Sequence, residues 1–514
     1  MDEAARDPCL PGTRVDFLGS LISSLADPDP PSGCNIIWVR GLAGSGKSTI
    51  LNSVAQYFSD LRRRGAFLFW NRDDPLNGDP RRVIRTLASQ IAKFNPTFAA
   101  KLAKKIETSP DVVTSTLDMQ FKHLLEEPLS ELAAELDLGP IIIILDALDE
   151  CGTEQSRKRL LDTLSQGLTR LPNMFRLLIA SRDESDIRTA LSCLKVDARN
   201  APMGDESTSS DVKLLFQKRL VSNASAFRHL RLPSNWPGEA TIHRLVDLSG
   251  GLFIWAMTTI LFVESDFPEK RLEKVLSASA HGPSHNQLDD LYRIALTHPF
   301  EAYEESDLES VHSILGAIMV AREPLTDEEL SQLLGLSIHD VQRVLTRLQS
   351  LLRGGHGRPI QVLHASFVDF LCDRWQGSRW HIDPPIHHLK LASGCLRVMQ
   401  RDLKFNICGI ETSSYRNKEI KGIQERVTQV ITHVLLYASQ YWASHLNSGA
   451  VSESDCHVLG EAVMDFMNSR FLYWIEVFSL KDEMRMISVI LNTAAIWAAV
   501  CHFQSCKTRI DENC

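Results

Sequence analysis

The sequence predicts an α/β domain built on a parallel sheet, followed by a largely all-α remainder. Two observations carry that expectation. Apolar runs at 35–39, 66–70, 141–145 and 175–180 alternate with helical patterns such as 83–94. These runs are continuous rather than alternating, Ile141-Ile142-Ile143-Ile144-Leu145 above all, which suits strands covered on both faces in a parallel sheet. After about Arg182 the strand signals largely stop and amphipathic helices dominate. The exception is 360–363, which follows Gly354-Gly355-His356-Gly357 and reads as a hairpin arm.

Hydrophobic residues make up 44% and charged residues 23% of the 514. That composition excludes wholesale disorder, collagen and a coiled-coil rod, and the length suits roughly three or four domains. A formal net charge of -9 argues against a dedicated binder of nucleic acid or anionic membrane, since either partner needs a basic face. Neither is expected as a partner. The eleven cysteines are an odd number without a C-x-x-C pair. They predict free thiols in a reducing compartment rather than a disulfide framework or zinc site. Cys395, Cys408 and Cys456 read as small buried hydrophobes. The N-terminus, Met1-Asp2-Glu3, leads into no apolar run, so no signal peptide is expected there. The longest apolar stretches, 251–263 and 486–500, fall short of the roughly 18–20 residues of a membrane span and predict buried helices. A cytoplasmic location is the resulting expectation.

The first element is a short helix within residues 1–34, closed by Pro, Ser, Gly and Asp punctuation at 27–33. The strand Asn35-Ile36-Ile37-Trp38-Val39 then runs into Gly41-Leu42-Ala43-Gly44-Ser45-Gly46-Lys47-Ser48, which fits G-x-x-x-x-G-K-[ST]. A helix follows, with apolar residues at Ile50, Leu51, Val54 and Phe58. In that order the parts form a phosphate cradle. The glycines let successive N–H groups turn toward phosphate oxygens, and the helix adds the positive end of its dipole. Lys47 is placed to bridge β- and γ-phosphates, and the Ser48 hydroxyl to ligate Mg2+. A bland glycine-rich turn is the alternative, and the flanking strand and helix argue against it.

The run 141–145 ends in Asp146-Ala147-Leu148-Asp149-Glu150, acids at the C-terminal edge of a buried strand, where ligands of open α/β sheets sit. Asp146 is the expected metal carboxylate, directly or through water. Asp149 or Glu150 would polarise the attacking water. A solvated turn is the other reading of these two. The run 175–180 ends in Ser181-Arg182-Asp183. Arg182 could sense a γ-phosphate from that edge, or could be a surface arginine paired with Asp183 or Asp186.

A Ser/Asp-rich stretch at 205–211 marks the exit from the sheet. Further on, Thr326 and Glu329 have capping-box spacing, and Ser337 caps a second helix through Val341, Val344, Leu345 and Leu348. Two short helices and a glycine-rich hairpin make a winged helix. Its second helix has only Arg343 and Arg347 as basic residues, a poor footprint for DNA. The aromatic stripes at 437–445 and 466–480 predict helix–helix core.

The phosphate loop together with Leu145-Asp146-Ala147-Leu148-Asp149-Glu150 resembles a NACHT domain, a branch of the signal-transducing (STAND) P-loop NTPases. Three further segments resemble the large fungal NACHT group: Cys9-Leu10-Pro11-Gly12-Thr13-Arg14; Asn71-Arg72-Asp73-Asp74-Pro75 with Asp79-Pro80-Arg81-Arg82; and Leu363-His364-Ala365-Ser366-Phe367-Val368-Asp369-Phe370. The resemblance implies an N-terminal helix and linker (1–34), a nucleotide-binding domain (35–205), a small helical domain (206–285), a winged helix (286–380) and a second helical domain (381–514). It implies ATP or ADP with Mg2+ as cofactors, held by Gly41 to Thr49, with Asp146, Asp149 and Glu150 in the metal and hydrolytic site and Arg182 as sensor. Thr13 and Arg14 would lie in the segment that passes the adenine, and His364 would touch the β-phosphate of bound ADP; otherwise it is a histidine of the strand–helix junction. The superfamily often carries Gly-x-Pro where this chain has Gly251-Leu252-Phe253, which leaves the adenine contact without its proline. The chain ends at Ile510-Asp511-Glu512-Asn513-Cys514 without sensor repeats, as a shortened member or a truncated sequence would.

The expected function is therefore a nucleotide-controlled switch with slow hydrolysis, closed with ADP and open and self-associating with ATP, acting on protein partners the sequence does not name. The resemblance suggests fungal self/non-self recognition or cell death as its setting. Three rivals share the same site: a constitutive AAA+-like ATPase, an ATP-gated winged-helix DNA regulator, and a scaffold with a structural nucleotide.

Overall fold

Four apolar runs become strands β1 (Ile36–Arg40), β2 (Arg64–Phe69), β3 (Ile141–Asp146) and β4 (Phe175–Ser181), and a fifth, β5 (Val196–Asn200), joins them. The structure, a computed structural model, describes residues 7–29, 34–70, 80–133, 140–152, 154–172, 174–221, 233, 236–265, 267–278, 287–411, 416–450 and 452–511. The segment Asn71 to Asp79, part of the family resemblance, lies outside them. All sheet pairings of the five strands are parallel, in the order β2-β3-β4-β1-β5.

Strand β5 corrects the expectation that strand signals stop near Arg182. Its sequence, Val-Asp-Ala-Arg-Asn, has no apolar run because it is the sheet edge beside β1 and is only half covered. Arg199 there pairs with Asp197 and donates to the hydroxyls of Ser20 and Ser24. Those serines sit on helix α1 (Val15–Ala26).

Alternate residues of the central strands feed two cores, as a pleat with period two requires. Trp38, Ile141, Ile143, Leu145, Leu177 and Ile179 pack with the helices Val83–Phe94 and Glu154–Leu168. Ile37, Val39, Ile142, Ile144, Leu178 and Ala180 pack on the other face with α1 and with α2 (Lys47–Asp60), through Leu21, Leu25, Ile50, Leu51, Val54 and Phe58. Truncating Ile144, fully buried, to alanine would cost about 2–5 kcal/mol, because such a packed site cannot collapse onto the cavity.

The chain divides into two compact units, 1–291 and 292–514. After the sheet, the first unit continues through the helices Glu206–Phe216, Glu239–Ser249, Phe253–Ser265 and Pro268–Ala278. In the second unit the helices Glu305–Val320, Asp327–Leu334 and Ile338–Arg347 precede an antiparallel hairpin of β6 (Leu352–Gly355) and β7 (Arg358–Val362). Both expected caps form: Thr326 and Glu329 make a reciprocal capping box, and the Ser337 hydroxyl accepts from the Asp340 N–H. Gly354 has φ 97° and lies against the Pro359 carbonyl, so no side chain fits there. Long helices follow, including Pro384–Asp402, His433–Ser448, Glu453–Ser469, Phe471–Leu480 and Arg485–Asp511. Tyr437, Trp442, Phe466, Trp474 and Phe478 are all buried among them, as their stripes predict.

Two expectations fail in this last region. Cys456 and Cys501 form a disulfide, with Cα atoms 5.5 Å apart; cysteine spacing alone could not show that two helices would bring these positions together. The stretch 486–500 is not a buried helix. Ile490 and Trp497 are covered, but Val489, Ile496 and Val500 are exposed, so only one side of the helix packs. No helix among the described residues is long and apolar enough to cross a membrane.

Candidate functional site

The phosphate loop is shaped by two glycines with positive φ, Gly44 at 80° and Gly46 at 89°, the second being the residue that opens α2. L-residues avoid this region, so the glycines in the motif are conformational requirements. The register then collects the acids around the loop. β4 lies between β1 and β3, with Ser181 opposite Arg40 and Ile179 opposite Leu145. Asp146, Arg182 and Gly41, at or just past the ends of adjacent strands, thus share one sheet edge.

At that edge Ser48 Oγ donates to Asp146 Oδ1 at 3.1 Å, and Asp146 is 1% exposed. The Lys47 ammonium donates to the carbonyls of Gly41 and Leu42 at 2.8 and 2.9 Å. Burial lowers its pKa, against the opposing pull of Asp149, Asp146 and Glu150. Beyond Asp146 the backbone turns sharply, with Ala147 at φ 59°, into a short 3-10 turn over Leu148–Glu150. That turn buries Asp149 and leaves Glu150 half-exposed.

Asp149 is tied on both sides. Its Oδ1 accepts from the Arg182 backbone N–H at 3.0 Å, and its Oδ2 lies 3.3 Å from Arg182 Nε. Among the described residues the Arg182 guanidinium lies against Asp149. The Asp149 carbonyl accepts from Arg157, a buried residue that also pairs with Glu184 at 2.6 Å and Asp186 at 2.8 Å. Sequence reading missed Arg157. It is one of three consecutive basic residues, Arg157-Lys158-Arg159, on the helix Glu154–Leu168, and only the fold brings it under the acidic turn.

Thr13 and Arg14 are both buried. The Thr13 hydroxyl donates to the Leu10 carbonyl at 2.7 Å, within its own turn. Arg14 donates to the Ser45 carbonyl at 3.2 Å, so this segment braces the phosphate loop. Thr49 lies in the first turn of α2, its carbonyl accepting from Ser53. His364 belongs to the second unit, where it caps the helix Ala365–Asp369: its Nδ1 accepts from the Ser366 N–H at 3.1 Å. In the neutral ring that bond leaves the proton on Nε2, a tautomer assigned from the hydrogen bond.

These residues fit a nucleotide with Mg2+. A hydroxyl and a carboxylate already face each other across Ser48 and Asp146, a lysine and two positive-φ glycines line the loop, and Ser45 Oγ is buried inside it without a hydrogen-bond partner among the described residues. Among the described residues no cluster of three His, Cys, Asp or Glu forms a metal site of its own. That leaves the Ser48–Asp146 pair as the place where a cation could be completed by phosphate oxygens and water.

Residues 23–182 match the family described as Nephrocystin 3, N-terminal. No curated protein matches the chain. Among solved structures the chain is similar to a Walker-type ATPase of Pyrococcus abyssi, at 15% identity and TM-score 0.35, over 72% of this chain and 99% of that one. It is also similar to a Signal Transduction ATPase with Numerous Domains protein with a tetratricopeptide repeat sensor from Pyrococcus horikoshii, at 13% identity and TM-score 0.41, over 98% and 68%. A third is the Aeropyrum pernix ORC1 protein in complex with DNA, at 14% identity and TM-score 0.31, over 70% and 92%. With every score below 0.5, these likenesses do not bear on activity. The family match falls on the segment that carries the phosphate loop, the acid-ended strand and Arg182.

Proposed function

We propose that the chain is a nucleotide-controlled switch, closed with ADP and open and self-associating with ATP, in which slow Mg2+-dependent hydrolysis resets the closed state. The Arg182–Asp149 pair carries this reading. An arginine placed to sense a γ-phosphate is held by an acid of the hydrolytic turn at 3.3 Å. It must change partner to reach a phosphate, and an exchange between two partners is what a two-state device needs. The nucleotide would supply the reacting phosphoryl group, and Mg2+ the neutralising charge.

In this reading Lys47 and the loop N–H groups bind phosphates, while Ser48 and Asp146 hold the metal. Glu150, half-exposed beside the buried and doubly tied Asp149, orients the attacking water. His364 would add the ADP-side contact from a winged helix over 286–380, between a small helical domain (206–285) and a second helical domain (381–514). A switch also requires unequal affinities of the two conformations for ATP and ADP, because equal binding shifts nothing. Fungal self/non-self recognition or cell death, in a cytoplasmic setting with protein partners, is the biology the resemblance favours.

DNA reading is the less supported rival. Arg343 pairs with Asp340 at 3.0 Å, Arg347 donates to the Pro299 carbonyl, and both guanidinium groups lie over the Tyr303 ring. These engagements leave a weak basic surface on that helix. The deciding experiment is to purify the chain without added nucleotide, denature it, identify what it releases and follow turnover on the same sample. Stoichiometric ADP with turnover far below about 1 s⁻¹, the low end of ordinary enzymes, supports the switch. An empty site with fast turnover overturns it in favour of a motor.

A further inference from the structure

Arg14 is a buried charge wedged between the phosphate loop and the helices that follow the sheet. It is 4% exposed and holds a left-handed backbone conformation, φ 59°. Nη2 donates to the Ser45 carbonyl of the loop at 3.2 Å. Nη1 donates to Thr208 Oγ1 at 2.9 Å, and the backbone N–H donates to Asp211 Oδ2 at 2.9 Å. Thr208 and Asp211 stand three residues apart and so share one face of the helix Glu206–Phe216. The guanidinium also lies over the ring of Phe253, 4.7 Å from its centroid. Phe253 opens the helix Phe253–Ser265.

A second contact runs beside the first. The Ile254 N–H donates to the Gly44 carbonyl at 3.4 Å, and a Cβ on Gly44 would collide with Ile254. Gly251, at φ 80°, lets its backbone approach the turn before Glu206–Phe216; a Cβ there would lie 2.6 Å from the Gly204 nitrogen. Two consecutive loop carbonyls, Gly44 and Ser45, are therefore held by groups outside the loop.

Peptide planarity gives this its consequence. The Gly44 carbonyl is coplanar with the Ser45 N–H, and the Ser45 carbonyl with the Gly46 N–H. These N–H groups are among those that cradle a phosphate. Turning either one toward an anion turns the attached carbonyl, and the motion is felt at Ile254 or Arg14.

We infer that Arg14 is a positioning residue that couples occupancy of the phosphate loop to the helices Glu206–Phe216 and Phe253–Ser265. The inference rests on the nucleotide reading above. Arginine suits the task because its planar fork serves a carbonyl, a hydroxyl and an aromatic face at once. Lysine keeps the charge but has no fork to share among them.

The test is hydrogen exchange on the full chain, with and without saturating ADP and Mg2+, for the wild type, Arg14→Lys and Thr208→Val. In the wild type ADP slows exchange in the loop 41–49 and in both helices, 206–216 and 253–265, by at least about 5-fold, the lower end for coupled sites. In Arg14→Lys the loop is still protected, but protection of the two helices falls by roughly half or more. Thr208→Val removes one acceptor while keeping the buried charge paired with Asp211. It behaves alike, and it decides the matter should Arg14→Lys fail to fold. Wild-type protection of the helices in a folded, ADP-binding variant overturns the coupling. So does a wild type whose loop is protected while its helices are unchanged. If ADP protects no part of the wild-type loop, the nucleotide reading falls and takes the coupling with it.

Discussion

Both units bury polar groups, but in opposite chemical states. At the sheet edge of the first unit the buried groups are ionic: Asp149 and Arg157 are 4% and 5% exposed, and each has a charged partner. In the second unit a buried histidine–tyrosine network between the helices Pro384–Asp402 and His433–Ser448 is neutral. His388 Nδ1 lies 2.8 Å from His445 Nδ1, and Tyr437 Oη lies 2.9 Å from His445 Nε2 and accepts from the Arg322 N–H. Burial holds His388 down to about 4 and pushes His445 well below its ordinary value. Asp149 and its partner Arg182 stand on turns after strands, where partners can be exchanged. The neutral network is sealed between helices and can only be kept or broken. The first arrangement is suited to a site and the second to a tie.

The sharpest way to break the comparison is Lys47→Ala. If the edge is a phosphate site, losing this ammonium removes a charged contact worth about 2–5 kcal/mol, a factor of roughly 30 or more in affinity. Isothermal titration with ADP should then show no binding at concentrations that saturate the wild type, while circular dichroism is unchanged. Wild-type affinity would mean that the lysine serves only the Gly41 and Leu42 carbonyls.

Arg157→Met comes next and separates stability from chemistry. It leaves Glu184 and Asp186 without their buried cation, a loss of about 3–5 kcal/mol, and frees the Asp149 carbonyl. We expect a lower urea midpoint together with a turnover rate that falls more than ADP affinity does. Equal losses of rate and affinity would show that Arg157 stabilises the unit without orienting the acidic turn.

Much of the first unit was legible because its signals are local. Continuous isoleucines specify a doubly covered strand, and the loop glycines specify positive φ, both within a few residues. The parts that stayed hidden depend on residues far apart in the chain. β5 is polar because it is an edge; Arg157 matters only once its helix packs under Asp149; Arg14 acquires its role from Thr208, Asp211 and Phe253, roughly two hundred positions later. The histidine network and the Cys456–Cys501 bond are hidden for the same reason, since helix packing rather than spacing brings those side chains together.

Titration sharpens the contrast within the second unit. His388, depressed to about 4, contributes stability that is present above the unfolded value near 6.5 and lost as pH falls toward 4, on the order of 2–3 kcal/mol. His433 is the reverse. Hydrogen bonds to Glu323 and Glu329 raise it to about 10, so its stabilisation is complete below pH 6.5 and lost as pH rises through 10. The ring is half-exposed, and solvent screening reduces the effect to about 1 kcal/mol. Urea titrations across pH should show His388→Gln flattening the acid limb and His433→Gln the alkaline limb. If neither variant changes either limb, the two histidines do not set the pH range of the unit.

The smallest effect tests whether the second unit has any share in the site. His364 caps the helix Ala365–Asp369 by accepting the Ser366 N–H, and losing an N-cap costs about 1 kcal/mol. Leucine at this position removes both the cap and the ring. Asparagine, a strong N-cap residue, keeps the first and removes the second. If His364 is a cap alone, His364→Leu lowers the melting temperature slightly, His364→Asn restores it, and both bind ADP and ATP in the wild-type ratio. If it also favours the ADP-bound closed form, His364→Asn is as stable as the wild type but loses ADP preference, and X-ray scattering with ADP shifts toward the profile recorded with ATP. Stability follows the cap and nucleotide preference follows the ring, so the Asn variant reports on the ring alone.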